Sequence, residues 1–312
     1  MKGPLFYSKI LLFGEYGIIK DSKGLSIPYS FYNGALKTDD IASEIAISSN
    51  TSLNNFAEYL EKLGAEFPSL VKFDLTSLKS DIANGMYFDS SIPQGYGVGS
   101  SGALVAAIYD KYAQDKITVL DNLTREKLLQ LKLIFGKMES FFHGKSSGLD
   151  PLNSYLSLPI LINSQDNIES ASIPSQNLQG KGAVFLLDSG ATGETAPMVQ
   201  LFMEKMKNEG FRNMLKNQFI KHTDACVEDF MEGNVKSLFG NIKQLSHVVL
   251  DNFKPMIPAK FHDLWQKGID TNDYYLKLCG SGGGGYILGF TEDIDKAKLA
   301  LKGYPLEVVY NF

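Results

Sequence analysis

The chain has 312 residues, 44% of them hydrophobic and 21% charged, enough for one large or two ordinary globular domains with substantial buried cores. A formal net charge of −5 without any long basic run excludes an extended nucleic-acid surface, yet leaves room for a local basic pocket that binds a small anion. Cys226 and Cys279 are too few for a disulfide framework and lack metal-ligand spacing, and no apolar run approaches the roughly 20 residues of a membrane span.

The opening MKGPLFYSKILLFGEYGII is interrupted by Lys9 and Glu15 and has no small-residue cleavage site, so a signal peptide is not expected. A soluble cytoplasmic protein is. Ser8–Ile19 reads as a strand, a turn and the start of another strand, and strand character is expected through about Asn50. Thr51–Gly64 has a Thr cap, apolar residues at helical spacing and a terminal glycine, which predicts the first helix. Ser80–Ile92 reads as a strand with turns.

Pro93–Ala107, PQGYGVGSSGALVAA, places glycines at every second position before two serines and an apolar helical run. Gly95, Gly97 and Gly99 allow positive φ and a close backbone approach, and Ser100 and Ser101 open a helix whose unpaired N–H groups attract anions. The predicted guest is a polyphosphate. Helices are expected from about Ser101 to Ala113 and over Leu120–Phe142, with strands over Pro151–Ile162 and Gly182–Asp188. Met198–Ser246 reads as mostly helical, with Gly210, Gly233 and Gly240 as interruptions.

The last third holds a strand at Tyr274–Leu278 and a second glycine loop, CGSGGGG, that enters another strand. A helix at Asp293–Leu301 and an edge strand at Leu306–Tyr310 complete the chain. Mixed elements without a repeating strand–helix beat favour an α+β fold over a doubly wound sheet. The weakly patterned stretch from Asn163 onward suggests a boundary between domains of residues 1–165 and 166–312.

Neither glycine loop fits a common nucleotide motif. The first alternates as GxGxG and not GxGxxG, and the GKS at Gly144–Ser146 has Glu139 where a Walker A glycine is required. A single glycine cluster is as well explained by a tight turn. Four consecutive glycines at Gly282–Gly285 point instead to close approach of a ligand or of the other loop.

Taken singly, the polar candidates have ordinary explanations. Lys9 in an apolar strand is a snorkelling edge residue or a partly buried cation, Asp150 before Pro151 is a turn aspartate, and Glu139 is a solvated helix carboxylate. His222, His247 and His262 read as structural or surface, and Trp265 as core. Beside a phosphate cradle, Asp150, Lys9, Glu139 and Ser101 together supply the set that phosphoryl transfer to an alcohol needs: a base, a cation, and a carboxylate and hydroxyl for Mg²⁺.

SKILLFGEYGII, PQGYGVGSSGAL and KLCGSGGGGYIL resemble, in order, the three motifs of the GHMP kinases. Within that family the turn written by Glu139, His143, Gly144, Ser147, Gly148 and Asp150 is most similar to that of the mevalonate kinases. The resemblance implies a two-domain α+β fold with the active site in the cleft between domains. ATP and Mg²⁺ are the implied cofactors, and the implied acceptor is the 5-hydroxyl of (R)-mevalonate. Asp150 is implied as the catalytic base or as an anion near the substrate hydroxyl, and Lys9 as the cation that polarises that hydroxyl and stabilises charge. Ser101 and Glu139 are implied as metal ligands.

Gly95, Gly97, Gly99, Ser100 and Ser101 would cradle the phosphates with support from Gly282, Gly283 and Gly284, and Glu15, Tyr16 and Thr195 fall on the substrate side. Departures are Tyr16 where histidine is usual, Gly102 in place of alanine and Ser146 in place of proline. A phosphomevalonate or sugar kinase of the same family, or a non-catalytic member that binds a metabolite, stays open. So does a homodimer; no nucleic acid or membrane partner is expected.

Overall fold

The computed structural model describes residues 4–38, 43–120 and 122–312. In chain order the elements are β1 (Phe6–Phe13), β2 (Gly24–Thr38), α1 (Glu44–Glu66), β3 (Lys72–Phe73), α2 (Leu75–Ala83), β4 (Met86–Ser90), α3 (Ser100–Tyr112), β5 (Ala113–Gln114), α4 (Arg125–His143) and α5 (Leu149–Leu156). They continue with β6 (Ile160–Ser164), β7 (Asn167–Ser170), β8 (Ala183–Asp188), α6 (Thr195–Lys205), α7 (Glu209–Met214), α8 (Lys221–Glu232), α9 (Val235–Asn252), α10 (His262–Thr271), β9 (Tyr275–Leu278), β10 (Tyr286–Thr291), α11 (Ile294–Ala300) and β11 (Leu306–Asn311). Among the described residues no helix is long and apolar enough to cross a membrane.

The chain gathers into two compact units, one of residues 1–9, 28–93 and 99–158, the other of residues 10–27, 94–98 and 159–312. In the first, the C-terminal half of β2 pairs antiparallel with β4 (Gly34 opposite Ser90, Thr38 opposite Met86). Helices α1, α3, α4 and α5 supply its core. α3 is buried along Ala103, Val105, Ala106, Ala107 and Ile108, and Tyr109, Phe135 and Tyr155 from three helices meet edge to face at 4.9–5.5 Å between ring centroids.

In the second unit the first residues of β2 pair with β6 and β6 with β7, all antiparallel. A separate four-stranded sheet runs in the order β11-β8-β10-β9, so β11 is an edge strand as expected. β9 and β10 are buried along their whole length, and their sequences are apolar apart from the buried Lys277 and Thr291. Trp265 of α10 is fully buried and donates its indole N–H to the Ser246 carbonyl, a core residue as its sequence setting suggests.

Several expected elements differ. Strand character ends at Thr38, and residues 39–42 lie outside the described residues. The first helix opens not at Thr51 but at Glu44, because Ser43 is its cap and accepts from the Ala46 N–H, and it passes through Gly64 to Glu66. Ser80–Ile92 begins as the end of α2, capped by Asp74, and becomes a strand only at Met86. α4 begins at Arg125 behind the Thr124 cap, later than Leu120.

Pro151–Ile162 starts as helix and not strand. Pro151 sits in the first turn of α5, where its missing N–H removes no hydrogen bond, and burial of nearly every side chain hides the helical period. Gly233, in left-handed conformation, ends α8, whereas Gly240 lies inside α9 without breaking it.

Candidate active site

In the first unit four elements converge on one cluster. β1 contributes Lys9, which is 4% exposed, and its Nζ lies 3.0 Å from Asp150 Oδ1 on the first turn of α5. The first turn of α3 contributes Ser101, whose hydroxyl donates to Glu139 Oε1 at 2.8 Å and lies 3.0 Å from His143 Nε2. Glu139 and His143 are one helical turn apart on α4. The other carboxylate oxygen of Glu139 accepts from Ser146, whose Oγ in turn accepts from the Gly148 N–H at 3.0 Å.

Glycines set these distances. Gly99, the residue before α3, has φ +83°, and a Cβ there would press on the Lys9 side chain at 3.0 Å. A Cβ on Gly102 would lie 2.8 Å from the Asp150 carbonyl carbon and the Pro151 nitrogen. Removing both side chains lets the start of α3, with its unpaired N–H groups, reach the Lys9–Asp150 pair.

Glu139 is almost wholly buried, and burial first, then the neighbouring charge of Asp150, pushes its carboxyl up to about 7 against the opposing hydrogen bonds from Ser146 and Ser101. Two carboxylates so close in a partly dehydrated place favour a cation between themselves and an anionic ligand. The oxygen donors Glu139 and Ser101 fit a hard divalent ion such as Mg²⁺. Among the described residues no group of three or more His, Cys, Asp or Glu could hold a metal, so phosphate oxygens and water would have to complete the shell.

In the second unit, the chain just after β1 meets the second glycine loop. Glu15 Oε1 and Lys277 Nζ form an ion pair at 2.6 Å with both side chains 4% exposed, and the same ammonium donates to the Leu278 carbonyl at 2.8 Å. Tyr16, with φ +59°, donates its hydroxyl to the Ser281 carbonyl at 2.6 Å and stacks on Phe202 of α6 at 4.6 Å between centroids. Burial, reinforced by Glu15, pushes the Tyr16 hydroxyl well above its usual range, which keeps it a donor. Thr195, the first residue of α6, lies 3.4 Å from Ser281 Oγ through its own hydroxyl.

The glycines of the second loop are packed against other loops of the same unit. A Cβ on Gly285 would lie 2.5 Å from Tyr96 Cα, one on Gly284 2.5 Å from the Thr192 carbonyl, and one on Gly97 2.7 Å from the Cys279 carbonyl. Backbone bonds from Gly193 to the Gly95 carbonyl at 2.8 Å and from Gly285 to Ala191 at 2.6 Å join three loops into one body. The N–H of Gly283 is spent on the Met256 carbonyl at 2.7 Å, and Gly282 leaves no room for a Cβ beside that same oxygen.

The structure thus brings Lys9, Ser101, Glu139 and Asp150 together in one unit, and Glu15, Tyr16, Thr195 and Gly282–Gly284 together in the other. Three participants were missed by sequence reasoning. Lys277, alone among apolar residues in YLKL, carried a signal: a charged residue in a continuous apolar strand requires a buried partner. His143 and Ser146 stand within the turn already noted, but nothing in their spacing announces their bonds.

Residues 54–157 match the model of the GHMP kinases N terminal domain. Over these residues the chain is similar to the N-terminal domain of the GHMP kinases. The GHMP kinase fold extends over the whole chain, as comparison with solved structures shows. Mevalonate kinase from L. major in complex with R-mevalonate is similar with a TM-score of 0.62 and 17% identity, covering 100% of this chain and 99% of that one. Phosphomevalonate kinase from Streptococcus pneumoniae, in complex with phosphomevalonate and AMPPNP, gives 0.63 and 15%, covering 98% and 99%. Galactokinase from Lactococcus lactis, complexed with galactose, gives 0.64 and 10%, covering 98% and 92%. No curated protein sequence matches the chain. The GHMP kinases are kinases that use ATP, and these three neighbours are described with small molecules bound, one of them with AMPPNP.

Proposed function

We propose that the protein transfers the γ-phosphoryl group of ATP to the 5-hydroxyl of (R)-mevalonate. The observation that carries this reading is the pairing of Lys9 with Asp150 at 3.0 Å directly beneath the start of α3, next to the Ser101–Glu139 pair. The choice of mevalonate over other acceptors leans on the turn from Glu139 to Asp150 and on the mevalonate kinases among the structural neighbours.

In this reading the N–H groups at the start of α3, with Gly95, Gly97, Gly99, Ser100 and Ser101, hold the phosphates, and Gly282–Gly284 give the second unit's loops their close packing. Mg²⁺, held by Ser101 and Glu139 when bound, supplies charge neutralisation at the phosphates. Asp150 accepts the proton of the acceptor hydroxyl as its oxygen forms a bond to the γ-phosphorus and the bond from that phosphorus to the bridging oxygen of ADP breaks. Lys9 holds Asp150 in place and offsets negative charge that gathers on the transferring group. Within the second unit Tyr16 and Thr195 hold the loop at Ser281 and Glu15 holds Lys277, and in this reading the three support acceptor binding. Both cysteines are buried and outside any disulfide, and this reading places the protein in a reducing compartment such as the cytoplasm.

Incubating purified protein with ATP and Mg²⁺ against mevalonate, phosphomevalonate, homoserine and galactose tests the reading. ADP release with mevalonate, and a phosphomonoester on its 5-oxygen by ³¹P NMR, is the expected result. Turnover of another acceptor alone overturns the substrate, and no turnover with any acceptor overturns the kinase assignment in favour of a metabolite binder.

A further inference from the structure

The Glu139 carboxylate is held from two sides. Oε1 accepts from Ser101, itself assigned to the cation, while Oε2 accepts from Ser146, a residue with no role so far. A glutamate carboxylate has a broad terminal torsion and does not choose one orientation by itself. A second hydroxyl on the opposite oxygen restricts that torsion.

Ser146 is itself constrained. Its Oγ accepts the Gly148 N–H at 3.0 Å, and Gly148 caps the helix that carries Asp150. With that acceptance made, its single O–H is directed to Glu139. The bonds therefore run without a break from the backbone at the head of α5, through Ser146, to the carboxylate on α4 and on to Ser101 on α3. If Glu139 Oε1 and the Ser101 oxygen both turn to a cation, the Ser101 O–H needs another acceptor, and His143 Nε2 at 3.0 Å serves in the tautomer protonated on Nδ1. Ser146 then remains as the hydroxyl that holds the carboxylate.

We infer that Ser146 is a positioning residue for the cation site, fixing Glu139 through Oε2 so that Oε1 is presented beside Ser101. This rests on the reading of Glu139 and Ser101 as cation ligands. Groups that orient a metal-binding carboxylate typically contribute 10- to 100-fold in affinity.

The test measures Mn²⁺ binding by electron paramagnetic resonance in the presence of a non-hydrolysable ATP analogue. Ser146→Ala is expected to weaken Mn²⁺ by about 10-fold or more with nucleotide binding in chelator unchanged, and Ser146→Thr, which keeps the hydroxyl, to restore it. Circular dichroism and melting temperature report folding; if the alanine variant melts early, Ser146→Cys, close in size and a poor donor, takes its place. Unchanged Mn²⁺ affinity in the variant overturns the inference, as does a wild-type protein that binds no Mn²⁺. Loss of Mn²⁺ affinity in the variant, with no acceptor phosphorylated by the wild type, supports the role of Ser146 and overturns only the substrate reading.

Discussion

A lysine buried to 4% exposure is tolerated only with its charge answered, and Asp150 answers it. If that pair performs the proton and charge handling proposed, Asp150→Asn and Lys9→Met each lower kcat by about 10²–10⁴-fold. Nucleotide binding by calorimetry should persist in both, and wild-type turnover in either removes the assignment. Glu139 gives a second expectation, in stability. Its folded pKa is raised from 4.5 to about 7, so the native state holds a proton that the unfolded chain releases near 4.5. Stability from this group is complete below about 4.5 and is lost as pH rises through about 7. In metal-free buffer Glu139→Gln should therefore melt above the wild type at pH 8, with the two melting curves converging toward acid; parallel pH profiles contradict the assigned environment. The same substitution should weaken Mn²⁺.

At the scale of elements, the site depends on how closely α3 and α5 approach at their first turns. Gly102 makes that approach possible, since a Cβ there would sit 2.8 Å from the backbone of Asp150 and Pro151. Gly102→Ala should push the start of α5 away from α3, reducing kcat by about 10-fold or more because catalysis is sensitive to small misplacement, and lowering the melting temperature as well. Kinetics on the alanine variant check this, and an unaltered kcat would show that α5 has slack. Gly285 is less forgiving: its φ of +70° and the 2.5 Å approach to Tyr96 Cα leave no place for a side chain. Gly285→Ala should destabilise the loop body by more than the 1 kcal/mol of a simple left-handed strain, seen as a lowered denaturation midpoint.

For the molecule as a whole, contacts between the two ends of the sequence matter most. Glu15 and Lys277 are 262 positions apart and pair in the interior of one unit, where each without the other is an isolated buried charge. Lys277→Met should cost about 3–5 kcal/mol in chemical denaturation, and the double variant Lys277→Met with Glu15→Gln should recover much of it, since the penalty belongs to the unpaired carboxylate. Equal losses in the single and double variants would mean that the pair contributes through the Leu278 carbonyl instead.

The sequence by itself determined the α+β class, the glycine loop running into α3, the second glycine loop between strands, and the residue types from which a phosphoryl-transfer site is assembled. These are legible because they depend on local requirements: glycine for close approach, caps for helix ends, apolar periodicity for burial. Only the tertiary structure decided that the first helix opens at Glu44 behind the Ser43 cap, and that Leu149–Leu156 is helical, where burial of nearly every side chain erases the period that distinguishes helix from strand. It alone decided that Glu15 is answered by Lys277, that Ser146 and His143 complete the surroundings of Glu139 and Ser101, and that the four-glycine run packs loop against loop. Those are pairings between residues distant in sequence or across a turn, and a hydrogen bond or ion pair leaves no mark on the spacing of either partner.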